Sequence, residues 1–272
     1  MKAIELLTYL HSLDRGWMDL NTTVDTFKAG DPEAEVKGIA VAWQSYTWAL
    51  EKAVQLGCNI FITHEPTFYT HRDKLDDPFS NQLPGFFKKK QWIEEQGLVI
   101  LRCHDLWDQM PEIGITDSWA RLLGLEHAVL KDGYYQVYEV PETRVDHFAE
   151  RVADLVKPLG QDSVKVLGPL DRRVSRVGIG TGAVASLVAF TEKYQVDLAV
   201  CTDDAFTYWR DGEYAIDQQI PVIVVNHAVS EEMGIRNLAI HLKNSFPLIP
   251  VHHIAQGCAF KFIPSQSSGN QA

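Results

Sequence analysis

Cysteine is scarce and scattered: the four in 272 residues (Cys58, Cys103, Cys201, Cys258) form no CxxC pair. That spacing excludes a disulfide scaffold and a thiolate zinc module. Buried cysteines of this kind behave as small hydrophobes, and a reduced, cytoplasmic protein is expected. Long apolar runs are missing too, and none approaches the roughly 20 residues that span a bilayer. Positive charge is in short supply, with 25 Lys plus Arg against 36 Asp plus Glu and a net charge of −11. Phosphate backbones bind clustered cations, so no nucleic-acid partner is expected. The one basic run, Lys88–Lys90, reads as a solvated helix face. The first residues, MKAIELLTYLHSLDRG, carry no cleavage-site pattern and read as a helix and not a signal peptide.

The chain is not poor in core material. Its 46% hydrophobic and 10% aromatic content excludes disorder over most of its length. One large or two modest domains are expected. Ten histidines among so many carboxylates are the raw material of a metal site.

Strand and helix signals alternate. A helix is expected at 2–13, a buried strand in VKGIAVAW (36–43), and a helix over 45–57 capped by Ser45 and closed by Gly57. NIFIT (59–63) and LVILRC (98–103) read as fully buried strands, separated by a polar loop from Pro66 to Pro84 and a helix at 84–97. A helix is expected at Thr116–Leu123. From GYYQVYEV (133–140) the texture becomes β-rich, with a helix at 143–160, strands in SVKVLG, VSRVGIG and VDLAVC, and a helical SLVAFTEKYQ. PVIVVN (221–226) is the last strong strand, and Ser230 is read as the N-cap of the helix after it. VHHIA and AFKFI are short strands, and the polar tail SQSSGNQA reads as disordered. The pattern implies an α/β fold with a mainly parallel sheet. The expected division is a discontinuous metal-site domain, 1–127 plus 221–272, around a second α/β domain, 128–220.

Three buried strands end alike. NIFIT runs into His64-Glu65-Pro66, LVILRC into His104-Asp105-Leu106-Trp107-Asp108, and PVIVVN into His227-Ala228-Val229-Ser230-Glu231. Open parallel sheets bind ligands beyond the carboxyl ends of their strands. A lone histidine after a strand is most often a loop residue satisfied by a carbonyl. Three of them, each with a carboxylate at the next residue or four on, point to a shared site for divalent ions such as Zn, Mn or Fe.

These segments, with AGDPEAEVKGIAVAW (29–43) and VGIGTGAVAS (177–186), resemble the Nif three-like family of dinuclear-metal-centre proteins, often labelled GTP cyclohydrolase I type 2 homologues. The resemblance covers nearly the whole chain. It implies two α/β domains, a toroidal homohexamer and two divalent ions per chain, with metal-dependent hydrolysis of an unknown small molecule, or alternatively non-enzymatic metal handling. The family's THHP, HTNLD and GHxxSE segments map onto His64, Asp108, His227 and Glu231, with Glu231 bridging and His104 a ligand or a supporting residue. The second histidine of THHP is Glu65 here. A third carboxylate lowers the net charge of the centre and favours harder ions.

Other residues have blander readings. His71 and Asp73 lie in the long loop and read as surface residues within possible reach of substrate. Of His252 and His253, only one can face a common site from a strand. TDDAFTYW (202–209) lacks the histidine that the family carries near that position. Gly178, Gly180 and Ala183 formally match a dinucleotide fingerprint, with Asp203 near the acidic position, but a lone pattern of this kind is weak. No catalytic residue is assigned. Protein purified without added metal is expected to carry Mn or Fe in preference to Zn; elemental analysis that finds stoichiometric Zn alone contradicts this.

Overall fold

The computed structural model describes residues 1–184 and 186–263, so the tail SQSSGNQA lies outside the described residues. In chain order the first half contains α1 (Ala3–Ser12), β1 (Phe27–Ala29), β2 (Ile39–Ala42), α2 (Thr47–Gln55), β3 (Ile60–Thr63), α3 (Pro84–Glu95), β4 (Val99–Arg102), α4 (Asp105–Gln109) and α5 (Ile115–Leu122). It continues with β5 (Leu130–Asp132), β6 (Tyr135–Arg144), α6 (Val145–Val156), β7 (Lys165–Leu167), β8 (Arg173–Ile179), β9 (Leu198–Thr202), α7 (Glu213–Asp217) and β10 (Val222–Val225). A long helix, α8 (His227–Ser245), and an edge strand, β11 (Val251–His253), follow.

Two sheets result. The first has the order β1-β4-β3-β2-β11. Its β4–β3, β3–β2 and β2–β11 pairings are parallel, and only β1 runs antiparallel, against β4. Its central strands are buried on both faces, as their unbroken apolar sequences require. Ile39, Val41, Ile60 and Ile62 pack with residues of α1, α5 and α8, while Ala40, Ala42 and Phe61 pack with residues of α2 and α3. This is the expected mainly parallel sheet between helices.

The second sheet, β5-β6-β8-β9-β10-β7, is mixed. Only β8–β9 and β9–β10 are parallel, because β5–β6 and β6–β8 turn back directly and β7 closes the far edge antiparallel to β10. The strand at 221–226 was expected to return to the first domain. It instead pairs with β9 and β7, so the chain leaves the second sheet only through α8. Apolar character marks a strand as buried but does not say in which sheet.

Local corrections matter for the site. α8 begins at His227 with Asn226 as N-cap, and Ser230 lies inside it, donating its hydroxyl to the His227 carbonyl. Similarly Tyr46, not Ser45, precedes α2, and Ser45 is buried with its hydroxyl on Thr67. AFKFI forms no strand, and the SLVAFTEKYQ helix is largely one wide turn, Ala189–Lys193. β1, α4 and α7 are too short for a periodic signal and went unread. No helix among the described residues is long and apolar enough to cross a membrane.

Helices α5 and α8 join the two cores. Ile115 belongs to the first and Trp119 to the second; Ala228 and Ile235 belong to the first and Val229 to the second. Gly234 lets the helices close up, since a Cβ there would stand 2.7 Å from the Cα of Ile115, and its carbonyl accepts the Trp107 indole N–H at 2.7 Å. Gly234→Val therefore lowers the melting temperature, by about 1–3 kcal/mol of stability; an unchanged thermal unfolding curve would show that this contact is not rigid.

Candidate metal centre

The carboxyl ends of β3, β4 and β10 face one another across the junction of the two sheets. His64 and Glu65 follow β3, His104 precedes the first residue of α4, and Asp108 lies on α4. His227 opens α8, which places Glu231 one turn further on the same face. The distant segments thus converge between two sheets and not on one sheet edge, because β10 belongs to the second sheet.

His64 Nε2 lies 3.3 Å from Asp108 Oδ1 and 3.4 Å from Glu231 Oε2. His227 Nε2 lies 3.0 Å from Glu231 Oε1 and 3.4 Å from Glu65 Oε1. Glu231 therefore faces one imidazole with each oxygen, as a bridging carboxylate does. His104 Nε2 is 4.0 Å from Glu65 Oε1, and its ring stacks on that of His64 at 4.6 Å. Two groups, His64–His104–Asp108 and His64–Glu65–Glu231, each bring their ligand atoms close enough to hold a metal ion. The fit is further marked by three buried atoms that have no hydrogen-bond partner: His64 Nε2, His227 Nε2 and Asp108 Oδ1. Buried polar atoms are ordinarily satisfied, so unpartnered atoms set among these carboxylates suit a cation.

The opposite ring atoms are engaged. His64 Nδ1 is 3.0 Å from the Cys103 carbonyl and His227 Nδ1 3.0 Å from Asp204 Oδ2, which leaves each Nε2 toward the centre. His104 Nδ1 meets Asp105 Oδ1 at 2.9 Å. The Trp43 indole N–H donates to Glu231 Oε2 at 2.7 Å and fixes that carboxylate. Asp203 accepts the backbone N–H of His227 at 2.9 Å and the Asn226 amide at 3.0 Å, so it anchors the start of α8 and not a ribose. Trp43 and Asp204 escaped the sequence reading. Neither has a motif of its own, although Asp204 stands in the TDD that ends an apolar strand.

The remaining candidates separate cleanly. His71 lines the central cavity with its ring 5.8 Å from that of His104. Asp73 accepts the Thr67 and Phe68 N–H groups at 2.6 and 2.5 Å and lines a separate cavity. His253 pairs with Glu232 at 3.0 Å, away from the centre. The glycines of the glycine-rich turn have a packing role. A Cβ at Gly178 would strike Phe190 at 2.4 Å. At Gly182, with φ +62°, it would meet Glu231 Oε1 at 3.3 Å and His227 Nε2 at 3.5 Å. Thr181, Gly182 and Ala183 form one wall of a cavity of about 440 Å³, faced by Glu65, His71, His104, Asp108, Tyr134, Asp204, His227 and Glu231.

A profile of the Duf34/NIF3 family (NGG1p interacting factor 3) matches residues 23–257. The chain belongs to this family. A "GTP cyclohydrolase 1 type 2 homolog" of Chlamydia pneumoniae is 24% identical over 255 residues, 91% of this chain and 96% of its own. One of the same name from Clostridium acetobutylicum is 24% identical over 212 residues, 74% of this chain and 75% of its own. Among solved structures, a Bacillus cereus protein related to NIF3 superposes with a TM-score of 0.78 at 14% identity, covering 97% of this chain and 99% of that one. At that identity the likeness shows the fold alone.

Charge in this family member's centre follows from burial. Desolvation opposes an imidazolium at His64, yet Glu231 and Asp108 outweigh it and raise its pKa from 6.5 to about 9. His227 is likewise raised, burial being overcome first by Glu231 and then by Asp204. Without metal, both rings hold protons at pH 7 that their unfolded forms largely lack. The metal-free protein therefore loses stability as pH rises from about 6.5 to about 9. A divalent ion displaces these protons, so metal addition in weak buffer at pH 7 releases protons. A metal-free melting temperature that rises over that interval would contradict the assignment.

Proposed function

We propose that this protein holds two divalent metal ions between its sheets and hydrolyses a small molecule in the adjoining cavity. The observation that carries the reading is a buried cluster: unpartnered His64 Nε2 lies 3.3 Å from unpartnered Asp108 Oδ1, and Glu231 stands between His64 and His227, its oxygens 3.4 and 3.0 Å from their Nε2 atoms. His64, His104 and Asp108 would hold one ion, and Glu65 and Glu231 the other, with His227 beside both of these carboxylates. Two ions sharing a carboxylate supply Lewis acidity toward water and toward a substrate oxygen. Oxygen donors at Glu65, Asp108 and Glu231 favour Mn or Fe.

The chain's own groups do the rest. Trp43 keeps Glu231 turned toward both imidazoles, and Asp204 keeps His227 in the tautomer that offers Nε2. The Gly182 turn leaves room beside Glu231 for a bound molecule. His71 and Tyr134 stand on the cavity wall, where a neutral imidazole and a phenol can exchange hydrogen bonds with substrate. A cavity of about 440 Å³ suits a small molecule. The name of the relatives points to GTP as one substrate to try, beside phosphate and carboxylate esters.

Elemental analysis and a hydrolase screen, run together, test the reading. Wild-type protein should carry about two ions per chain, as a bridged pair requires. Glu231→Ala should lose most of both ions and all turnover, whereas Trp43→Phe should keep the fold and weaken metal affinity by about 10–100-fold. Metal content unchanged in Glu231→Ala would overturn the site; full metal with no turnover of any probe would favour a metal-handling protein.

A further inference from the structure

We propose that Arg102 is a positioning residue for the metal centre: it takes one oxygen of Glu65 and leaves the other as a single-oxygen donor, cancelling the charge that Glu65 adds. The inference rests on the metal-binding reading above.

Arg102 ends β4 and is 0% exposed. Its Nε donates to the His64 carbonyl at 2.8 Å, and its Nη1 donates to the His71 carbonyl. The guanidinium therefore grips the backbone on both sides of Glu65, at His64 and at His71, which lines the cavity. Its Nη2 has no hydrogen-bond partner and lies 3.7 Å from Glu65 Oε2. Among the described residues, Glu65 is the one carboxylate within 4.0 Å of Arg102. Glu65 in turn points its other oxygen, Oε1, between His227 Nε2 at 3.4 Å and His104 Nε2 at 4.0 Å.

A buried guanidinium without a counter-charge is strongly unfavourable, so Arg102 and Glu65 depend on each other. With Arg102 included, the pair is neutral overall, and of the three carboxylates read as ligands only Asp108 and Glu231 keep an uncompensated charge. The third carboxylate read from the sequence therefore does not make the centre one charge more negative. Glu65 and Arg102 together stand in for the neutral imidazole of a THHP segment. Changing residue 65 alone consequently breaks the arrangement, and residue 102 must change with it.

The experiment compares wild type, Glu65→His, Arg102→Met, Arg102→Lys and the Glu65→His/Arg102→Met double variant. Thermal unfolding of metal-free protein reads the ion pair, and titration with Mn²⁺, followed by the spin-resonance signal of free Mn²⁺, reads the centre. Glu65→His should melt several degrees below wild type and bind one of two Mn²⁺ at least about tenfold more weakly. The double variant should recover both properties. Arg102→Lys keeps the charge without the fork. It should melt between wild type and Arg102→Met and weaken one Mn²⁺ site while leaving the other near wild type, a split that a general loss of stability does not produce.

Mn²⁺ affinity in Arg102→Lys equal to wild type, or a double variant that binds Mn²⁺ no better than Glu65→His, overturns the proposal. Wild type that binds no Mn²⁺ at all defeats the metal-binding reading instead, and the unfolding comparison then still decides whether Arg102 and Glu65 form a pair.

Discussion

Everything about this centre depends on one shared burial. His64 offers a ring nitrogen with no hydrogen-bond partner between Asp108 and Glu231, carboxylates brought by two different helices. Carboxylates held so close and so dry repel one another unless positive charge lies between them. Protons on His64 and His227 supply it when no metal is present, and a divalent ion could supply it in their place.

That burial exists only because two sheets meet. Neither sheet edge alone contains the set: β3 and β4 bring His64, Glu65, His104 and Asp108, whereas β10 hands over to α8 with His227 and Glu231. α8 belongs to both cores, so its first turn is fixed against both sheets at once. A supporting layer then sets each donor. The Cys103 carbonyl, Asp204 and Trp43 orient His64, His227 and Glu231, and Gly182 keeps its own side chain out of the way. These groups sit at strand ends and turns, where they orient the donors of the candidate site.

Much of this was legible in the chain. Unbroken apolar runs such as IFIT and VIVV can be neither surface strands nor short amphipathic helices, so β3 and β10 were readable as buried strands. The chemistry following each was readable for the same reason, since a polar residue directly after a buried strand has to sit at its exit. His64, His104, Asp108, His227 and Glu231 were found that way. Trp43, Asp204 and Arg102 were not. Trp43 and Arg102 belong to apolar strand segments and look like core, and nothing local says that the Trp43 N–H or the Arg102 fork meets a residue far along the chain.

The sequence by itself determined which segments are buried strands, which residues leave them with ligand chemistry, and that the balance of histidine and carboxylate suits divalent ions. Those properties follow from local periodicity and side-chain type, which the tertiary fold does not alter. Only the tertiary structure decided that β10 joins the second sheet, that the candidate site lies between sheets, and that Glu65 faces Arg102. Sheet membership and ion pairing are set by contacts between residues far apart in the chain, and no local pattern encodes a distant partner.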